Sequence, residues 1–549
     1  MGETGTRTSE QDGTAEAWVK PARRPAWLAA LSPATLAAVA VLAAGVALLI
    51  TQHALRFFST WTDENVHTYV ARRVSEGAVL YRDIDSARPP LVILPMAGLI
   101  RFGLGPLLAA RALVLLATLG TALALLLTGR RLFSGRAAVA AAAIYLFSAE
   151  VAARLPYTGM QLVQLATVGC LFLALLGRPL AAGLAFGLAI GAGQHSLVIG
   201  GAAALWIGLR DWRRVPRFAA GAVASFGAVF GLAALLGAEH LWENLVARHL
   251  YHVAGGGGSP SSSELGGQLF AWFMDNAAIF ALAVLALVPR AAPEDRRTDR
   301  TLPARQALRV LAGATVLHVV VLVGMKGGLF LYVVPIFPLV CLLAGVGLDA
   351  LIRWGLAARP GRPLATAVAL PAVVLIALTL GGWRIAQGRA QTEDKRPYAL
   401  VPHVRSGQAM ALQKMNVART IARDLASLPA DRTLFGHATI VDLVALESGR
   451  RVSGEMADLA PRWIRQGTVG RIELTTKVEN DGVGALITPR WLLVKDPYFR
   501  AYLTRCYQPP TVYPRAQTWE GGGLPDMLVF IRNNLDRPCL PAVKPKTTR

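Results

Sequence analysis

The sequence predicts an α-helical polytopic membrane protein of about eleven spans, followed by a small extracytoplasmic α/β domain. Three observations lead there. Of the 549 residues, 54% are hydrophobic and 16% charged, and the mean hydropathy of +0.44 is too high for a water-soluble chain. The apolar residues come in repeated long runs. The basic residues behind the net charge of +22 gather between those runs, nearly all on one side, which is the positive-inside pattern. They form no aromatic-interleaved stripe or polar face, which argues against a nucleic-acid partner.

Residues 1–30 are polar, end in Lys20, Arg23 and Arg24, and are expected to form a disordered cytoplasmic tail. The membrane domain is assigned to 31–383. Pro33 to Thr51 reads as an uncleaved first span, because its hydrophilic leader is long and its apolar core exceeds a signal-peptide h-region. The outer loop 53–105 follows. Pro106 to Leu127 runs inward to Arg130, Arg131 and Arg136, Arg136 to Ala153 returns outward, and Gln161 to Leu176 runs in again. Leu180 to Gln194 and Leu197 to Gly208 are two short spans joined at His195. Phe218 to Leu236 leads out to a loop, Gly255 to Ser263, composed for flexibility. Phe270 to Val288, Val310 to Val323, Leu329 to Leu348 and Thr366 to Leu380 complete the set. An odd number of spans with the N-terminus inside places residues 384–549 outside.

There the pattern changes. Helices are expected over Val417 to Leu425, Ile440 to Leu446 and Asp458 to Gln466. Strands are expected over Thr433 to Phe435, Arg451 to Val452, Trp491 to Val494 and Met527 to Ile531. Cys170 and Cys341 lie in apolar runs and read as packing residues. Cys506 and Cys539 can pair in a disulfide if this part lies outside the cytoplasm. There is no internal repeat, phosphate-binding glycine loop or metal-spaced His/Cys cluster.

The stretch from Trp61 to Gly103 carries the chemistry. Val66, Tyr69, Val70, Arg73 and Val74 fall at helical spacing, which predicts a short amphipathic helix on the membrane surface. Asp63 and Glu64 occupy its first turn, where the helix dipole favours ionised carboxylates. The helix stops at Gly77. A Tyr81-Arg82-Asp83 turn follows, then Arg88 before Pro89 and Pro90. Leu91 to Phe102 is apolar but too short to cross, so it is read as half sunk in the interface.

An outer loop with Asp-Glu, Gly-x-x-x-Tyr-Arg-Asp and basic-Pro-Pro-Leu resembles that of the integral-membrane glycosyltransferases of the GT-C class. Within it, the sequence is most similar to the polyprenyl-phosphate-sugar-dependent group of protein mannosyltransferases, aminoarabinose transferases and RgtA/B/C/D-like galacturonosyltransferases. Gly105 to Phe133 is similar to that family's next span. Lys326-Gly-Gly-Leu-Phe-Leu-Tyr332-Val-Val-Pro335-Ile-Phe-Pro338 resembles its basic-x-Tyr-x-x-Pro-x-x-Pro signature. The resemblance covers roughly residues 30–350. It departs at Arg88, where Lys or His is common, and at Gln194-His195, where many relatives have Lys.

The resemblance implies a polyprenyl-phosphate sugar donor, a lipid, glycan or protein acceptor, and a multi-pass location in the cell membrane among its lipids. It leaves a divalent metal open. Asp63 and Glu64 are the catalytic candidates, Arg88 and Lys326 the phosphate-binding ones, and Tyr81, His195 and Tyr332 the substrate-binding ones. The chemistry agrees. A sugar phosphate has an anionic leaving group that needs no protonation, so one carboxylate suffices as base and cations stabilise the departing charge. This predicts an inverting displacement with Asp63 as base and Glu64 in support.

Each residue has an ordinary alternative. The Asp-Glu pair can be a solvated first turn, Arg88 a headgroup anchor, Lys326 a snorkelling residue and Tyr332 part of an aromatic belt. His195 can be a polar residue tolerated at a span end, Arg111 a residue that orders packing or pairs locally, and Asp83 and Asp85 turn formers. The competing functions are a transporter or flippase of lipid-linked glycans and a non-catalytic binder of them. Transporters carry ionisable groups mid-span and pseudo-repeated halves. Here the spans are almost free of charge and the carboxylates lie at the membrane edge.

Overall fold

The computed structural model describes residues 33–55, 62–84, 86–148, 150–151, 157–236, 240–247, 262–288, 304–324, 330–357, 415–438, 440–455, 471–489, 497–513, 527–534 and 539. Among the described residues the apolar part is made of helices: α1 (Pro33–Leu55), α2 (Thr62–Ser75), α3 (Pro90–Arg101), α4 (Pro106–Leu132), α5 (Gly135–Phe147), α6 (Met160–Leu175), α7 (Pro179–Ala192), α8 (Ser196–Asp211), α9 (Val215–Leu235), α10 (Ser262–Asp275), α11 (Ala277–Leu285), α12 (Ala304–Gly324) and α13 (Phe337–Ala357). Prolines open α3, α4, α7 and α9 at the first or second position, where the missing N–H has no intrahelical partner to lose.

Among the described residues, five stretches are long and apolar enough to cross a membrane. They number six if α10 and α11, bent by 78° at Asn276, form one broken span. This is fewer than the sequence count. Helices α5, α6 and α7 have 13, 16 and 14 residues, which reach only about 20–24 Å against a hydrocarbon core of about 30 Å. Helices α8 and α9 join through a 3-10 turn into one apolar stretch, Ser196–Leu235. The predicted span Thr366 to Leu380, the tail 1–30 and Gly255 to Pro260 lie outside the described residues. Helix α10 opens at Ser262, inside the predicted loop, and α12 opens at Ala304, ahead of the predicted span Val310 to Val323.

Helix α13 is the buried centre of this bundle: the whole of its apolar window is covered by neighbours. It packs on α5 and α11. Its Asp349, 1% exposed, accepts from Arg136 Nε at 2.8 Å and from the Ser134 hydroxyl at 3.0 Å. Helices α7 and α9 meet through glycines. A Cβ on Gly183 would lie 2.0 Å from the Phe218 carbonyl oxygen, and one on Gly221 would lie 2.2 Å from that of Leu180. Small residues let the two backbones touch, as in membrane helix pairs generally.

The C-terminal part holds a four-stranded mixed sheet of β1 (Thr433–Gly436), β2 (Val483–Pro489), β3 (Thr511–Tyr513) and β4 (Met527–Ile531), in the order β1-β2-β4-β3. Strands β1 and β2 are parallel, and the other pairs are antiparallel. Residues 415–424 are helical, as are α14 (Val441–Ser448), α15 (Arg471–Asn480) and α16 (Pro497–Cys506). Arg451-Val452, read as a strand, makes only a single bridge to Leu434. The predicted helix Asp458 to Gln466 and strand Trp491 to Val494 lie outside the described residues. Cys506 and Cys539 form a disulfide.

The two faces of the sheet have different partners, set by the two-residue alternation of strands. Leu486, Leu528 and Phe530 pack with Leu474, Phe499 and Leu503. Ala485, Ile487, Met527 and Val529 belong to a core that continues through Ala418, Ile421, Val441 and Val444 to Val66, Tyr69 and Val70 of α2 and Ile93 and Met96 of α3.

The glycine contact yields a direct test. Gly183→Val should lower the thermal stability of the detergent-purified protein by about 1–3 kcal/mol, toward the upper end, since backbone atoms cannot yield as side chains do. Gly227→Ala, also on α9 but with nothing within 4 Å of the added Cβ, should be close to neutral in the same melting experiment.

Candidate active site

Helix α2 begins with Asp63 and Glu64 in its first turn, and the structure gives the two carboxylates separate surroundings. Glu64 is fully buried. Both its oxygens accept from Arg111 of α4, at 2.5 Å from Nη1 and 3.1 Å from Nη2, and Oε1 also accepts the Tyr157 N–H at 2.8 Å. Arg111 is itself 4% exposed. This bidentate, charge-assisted pair therefore fixes the start of α2 to α4 and to the segment before α6. Glu64 positions the helix. It does not open toward a substrate.

Asp63 is half-buried, at 31% side-chain exposure, and lies 3.1 Å from Arg88 Nη2. Arg88 is 24% exposed, so a basic group and a fixed cation stand together at the edge of the bundle. Arg88 is held from behind. The Tyr81 hydroxyl donates to its carbonyl at 2.5 Å, and its N–H donates to the Ser86 hydroxyl at 3.3 Å. Tyr81 has φ = +70°, an unfavourable left-handed turn position for a bulky residue, and its ring is 2% exposed. Its side chain thus braces Arg88 instead of facing a ligand. Asp83 is exposed and forms the turn: it accepts from Val79 N–H and from Arg82, and these bonds hold its carboxyl down to about 2. Asp85 lies outside the described residues.

Helix α2 does not lie on a surface with one face wet, as its spacing suggested. Residues 64–71 are all buried, because the polar side is covered by Arg111, Tyr157 and the C-terminal core. Its C-terminal end is tied as well: the Tyr69 hydroxyl accepts the Val452 N–H at 2.7 Å, and Arg72 donates to the Leu446 carbonyl at 2.8 Å. Likewise α3, expected to be half sunk in the interface, packs on α2, α4 and α7, and its Val92 carbonyl accepts from the Tyr157 hydroxyl at 2.7 Å.

His67, one turn after Asp63, was not singled out from sequence. It is fully buried and edge-on to Tyr157 at 5.9 Å. Burial, followed by the Arg88 charge, holds it down to about 3, with Asp63 and the Tyr157 backbone acting the other way. It is a neutral imidazole beneath the Asp63–Arg88 pair. His195 is half-buried at the junction of α7 and α8, beside Gly193. Lys326 lies outside the described residues, and so does the side chain of Tyr332, whose backbone is in the 3-10 turn Phe330–Ile336. Among the described residues, no three His, Cys, Asp or Glu side chains form a metal-holding group.

No family model and no curated protein matches this sequence. Solved structures do. The crystal structure of ArnT from Cupriavidus metallidurans in the apo state is similar over 88% of this chain and 97% of that one, with a TM-score of 0.59 at 16% identity. The structure of the same protein bound to undecaprenyl phosphate matches over the same shares, with a TM-score of 0.56 at 17% identity. The chain therefore has the fold of these structures, in agreement with the resemblance read from residues 30–350.

The buried histidine sets a pH dependence. A residue held neutral in the folded state stabilises fully above its ordinary value of 6.5, and that contribution is lost as pH falls from there toward about 3. Stability should drop by about 2–3 kcal/mol between pH 7 and pH 4.5 from this residue alone. Melting curves of His67→Leu should be flatter over that interval than those of the parent protein.

Proposed function

We propose that this chain is an inverting glycosyltransferase that moves a sugar from a polyprenyl-phosphate carrier to an extracytoplasmic lipid, polysaccharide or protein acceptor. One observation carries the reading: Asp63 and Arg88 are paired, half-exposed, at the edge of an apolar bundle, where a lipid phosphate and a polar acceptor can meet. The donor phosphate competes with Asp63 for Arg88. Once Arg88 turns to the phosphate, the Asp63 carboxylate stands beside the anomeric carbon. The acceptor oxygen attacks that carbon and gives its proton to Asp63, the carbon–oxygen bond to phosphate breaks, and the departing charge rests on Arg88. Lys326 is a second phosphate contact in this scheme, and His195 and Tyr332 border the sugar. The undecaprenyl phosphate bound by a protein of the same fold supports the choice of donor class.

The same reading includes a topology: about eleven spans, a cytoplasmic N-terminus and residues 384–549 outside. A reporter fused after Arg384 should be active outside the cytoplasm, and one fused within Glu294 to Asp299 should be active inside. An inside signal at both positions would break the map.

Asp63→Asn should slow transfer by about a hundredfold to ten-thousandfold while leaving donor binding and folding almost intact. Arg88→Ala should weaken donor binding as well as rate. Glu64→Gln should behave differently, since removing one partner of a buried pair costs about 3–5 kcal/mol: its defect should appear first in thermal stability. The assay is transfer or hydrolysis of a panel of polyprenyl-phosphate sugars by the purified protein. Full activity of both Asp63→Asn and Arg88→Ala would end the catalytic reading and favour a transporter of lipid-linked glycans.

A further inference from the structure

At the opposite end of α2 from Asp63 lies a recess of about 210 Å³, lined by Tyr69, Arg72, Arg73 and Glu76 of the α2 segment and by Ala445, Gly449, Arg450 and Arg451 of the C-terminal part. Four guanidinium groups and a single carboxylate border it. Arg72 and Arg73 share Glu76, at 2.9 and 2.5 Å. Arg450 turns inward and donates to the carbonyls of Leu425, Leu428, Pro429 and Arg432. Carbonyl oxygens satisfy its hydrogen bonds without neutralising its charge. Arg451 is exposed at the mouth. The recess thus carries an excess of fixed positive charge on two elements locked together by the Tyr69–Val452 and Arg72–Leu446 bonds.

Size and place say what fits. The volume is below the about 300–1,000 Å³ of pockets that enclose whole drug-sized ligands, so the recess suits one anionic group and not a complete glycan. Arg72 is nine residues after Asp63, about 13–14 Å along the helix axis. A phosphate leaving an anomeric carbon beside Asp63 cannot also reach it. We propose that this recess holds an anionic group, a phosphate or a carboxylate, of the acceptor, and so sets which acceptors are presented to Asp63. That the site binds anions stands on its own. Only the naming of the occupant as the acceptor rests on the glycosyltransferase reading.

The test is binding, which needs no turnover. Full-length protein in phosphatidylcholine nanodiscs is titrated with inorganic phosphate, with mannose 6-phosphate and with mannose. The expected result is saturable binding of the two phosphates and none of mannose. Arg73→Gln combined with Arg451→Gln should weaken mannose 6-phosphate binding about tenfold or more without lowering the melting temperature, while Arg88→Ala should leave that binding unchanged. Arg72 and Arg450 are left intact because they hold the fold. Adding phosphatidylglycerol separates the sources: unchanged mannose 6-phosphate affinity supports a glycan-borne anion, and competition assigns the recess to a lipid headgroup and overturns the acceptor proposal. The anion site itself is overturned if the double variant binds like the parent, or if Arg88→Ala alone abolishes binding. Should the anion bind as expected while no sugar transfer is found with any donor, the site survives and the enzyme reading does not.

Discussion

The placing of Asp63 against Arg88 depends on one buried ion pair. Glu64 and Arg111 are almost wholly removed from water, and desolvating two charges is costly unless geometry and further hydrogen bonds compensate. Here they do: two guanidinium bonds and the Tyr157 N–H converge on one carboxylate. The result is less a source of stability than a constraint on geometry. It sets the height of the α2 start against α4, and hence where Asp63, one residue earlier, meets Arg88. A carboxylate that looks catalytic by its neighbour is the anchor that lets the neighbour be placed.

Much of this was legible in the sequence, and the limits have physical causes. The strands β1 and β4 and helix α2 follow local periodicity and turn chemistry, which act over a few residues. Asp63 and Arg88 could be named together because both lie in one loop between short helices. The partner of Glu64 could not, being 47 residues away. Its one signal was an arginine inside an otherwise apolar span, a position that calls for a buried counter-charge. The same distance hid the cover over α2. An amphipathic pattern says which face is apolar, not whether the other face is wet, and here Tyr157 and the C-terminal core close over it. His67 was missed for that reason: a histidine on a face read as exposed draws no notice. Length was the other weak guide, since some apolar runs read as spans form helices of only 13 to 16 residues, too short to cross unaided.

The two ends of α2 answer to different neighbours. Its start belongs to the bundle through Arg111 and Tyr157, and its end belongs to the C-terminal part through Tyr69, Arg72 and their bonds to backbone near the sheet. A single fourteen-residue helix therefore fixes the separation between the Asp63–Arg88 pair and the basic recess. A rigid helix transmits that spacing without slack.

The core that runs from Ile93 and Met96 through Val66, Tyr69 and Val70 into Ile421, Val441 and Ile487 has a bearing on how such chains change over time. Segments more than three hundred residues apart fill one common space, so a volume change in one must be answered in the other. The C-terminal part is therefore not a cassette that recombination can exchange freely among bundles of the same fold. Its inner face and the face of α2 drift together. In a set of related sequences, this pairing should surface as correlated substitution between positions 66–70 and 418–444, even where overall identity has fallen to the level at which the fold alone still speaks.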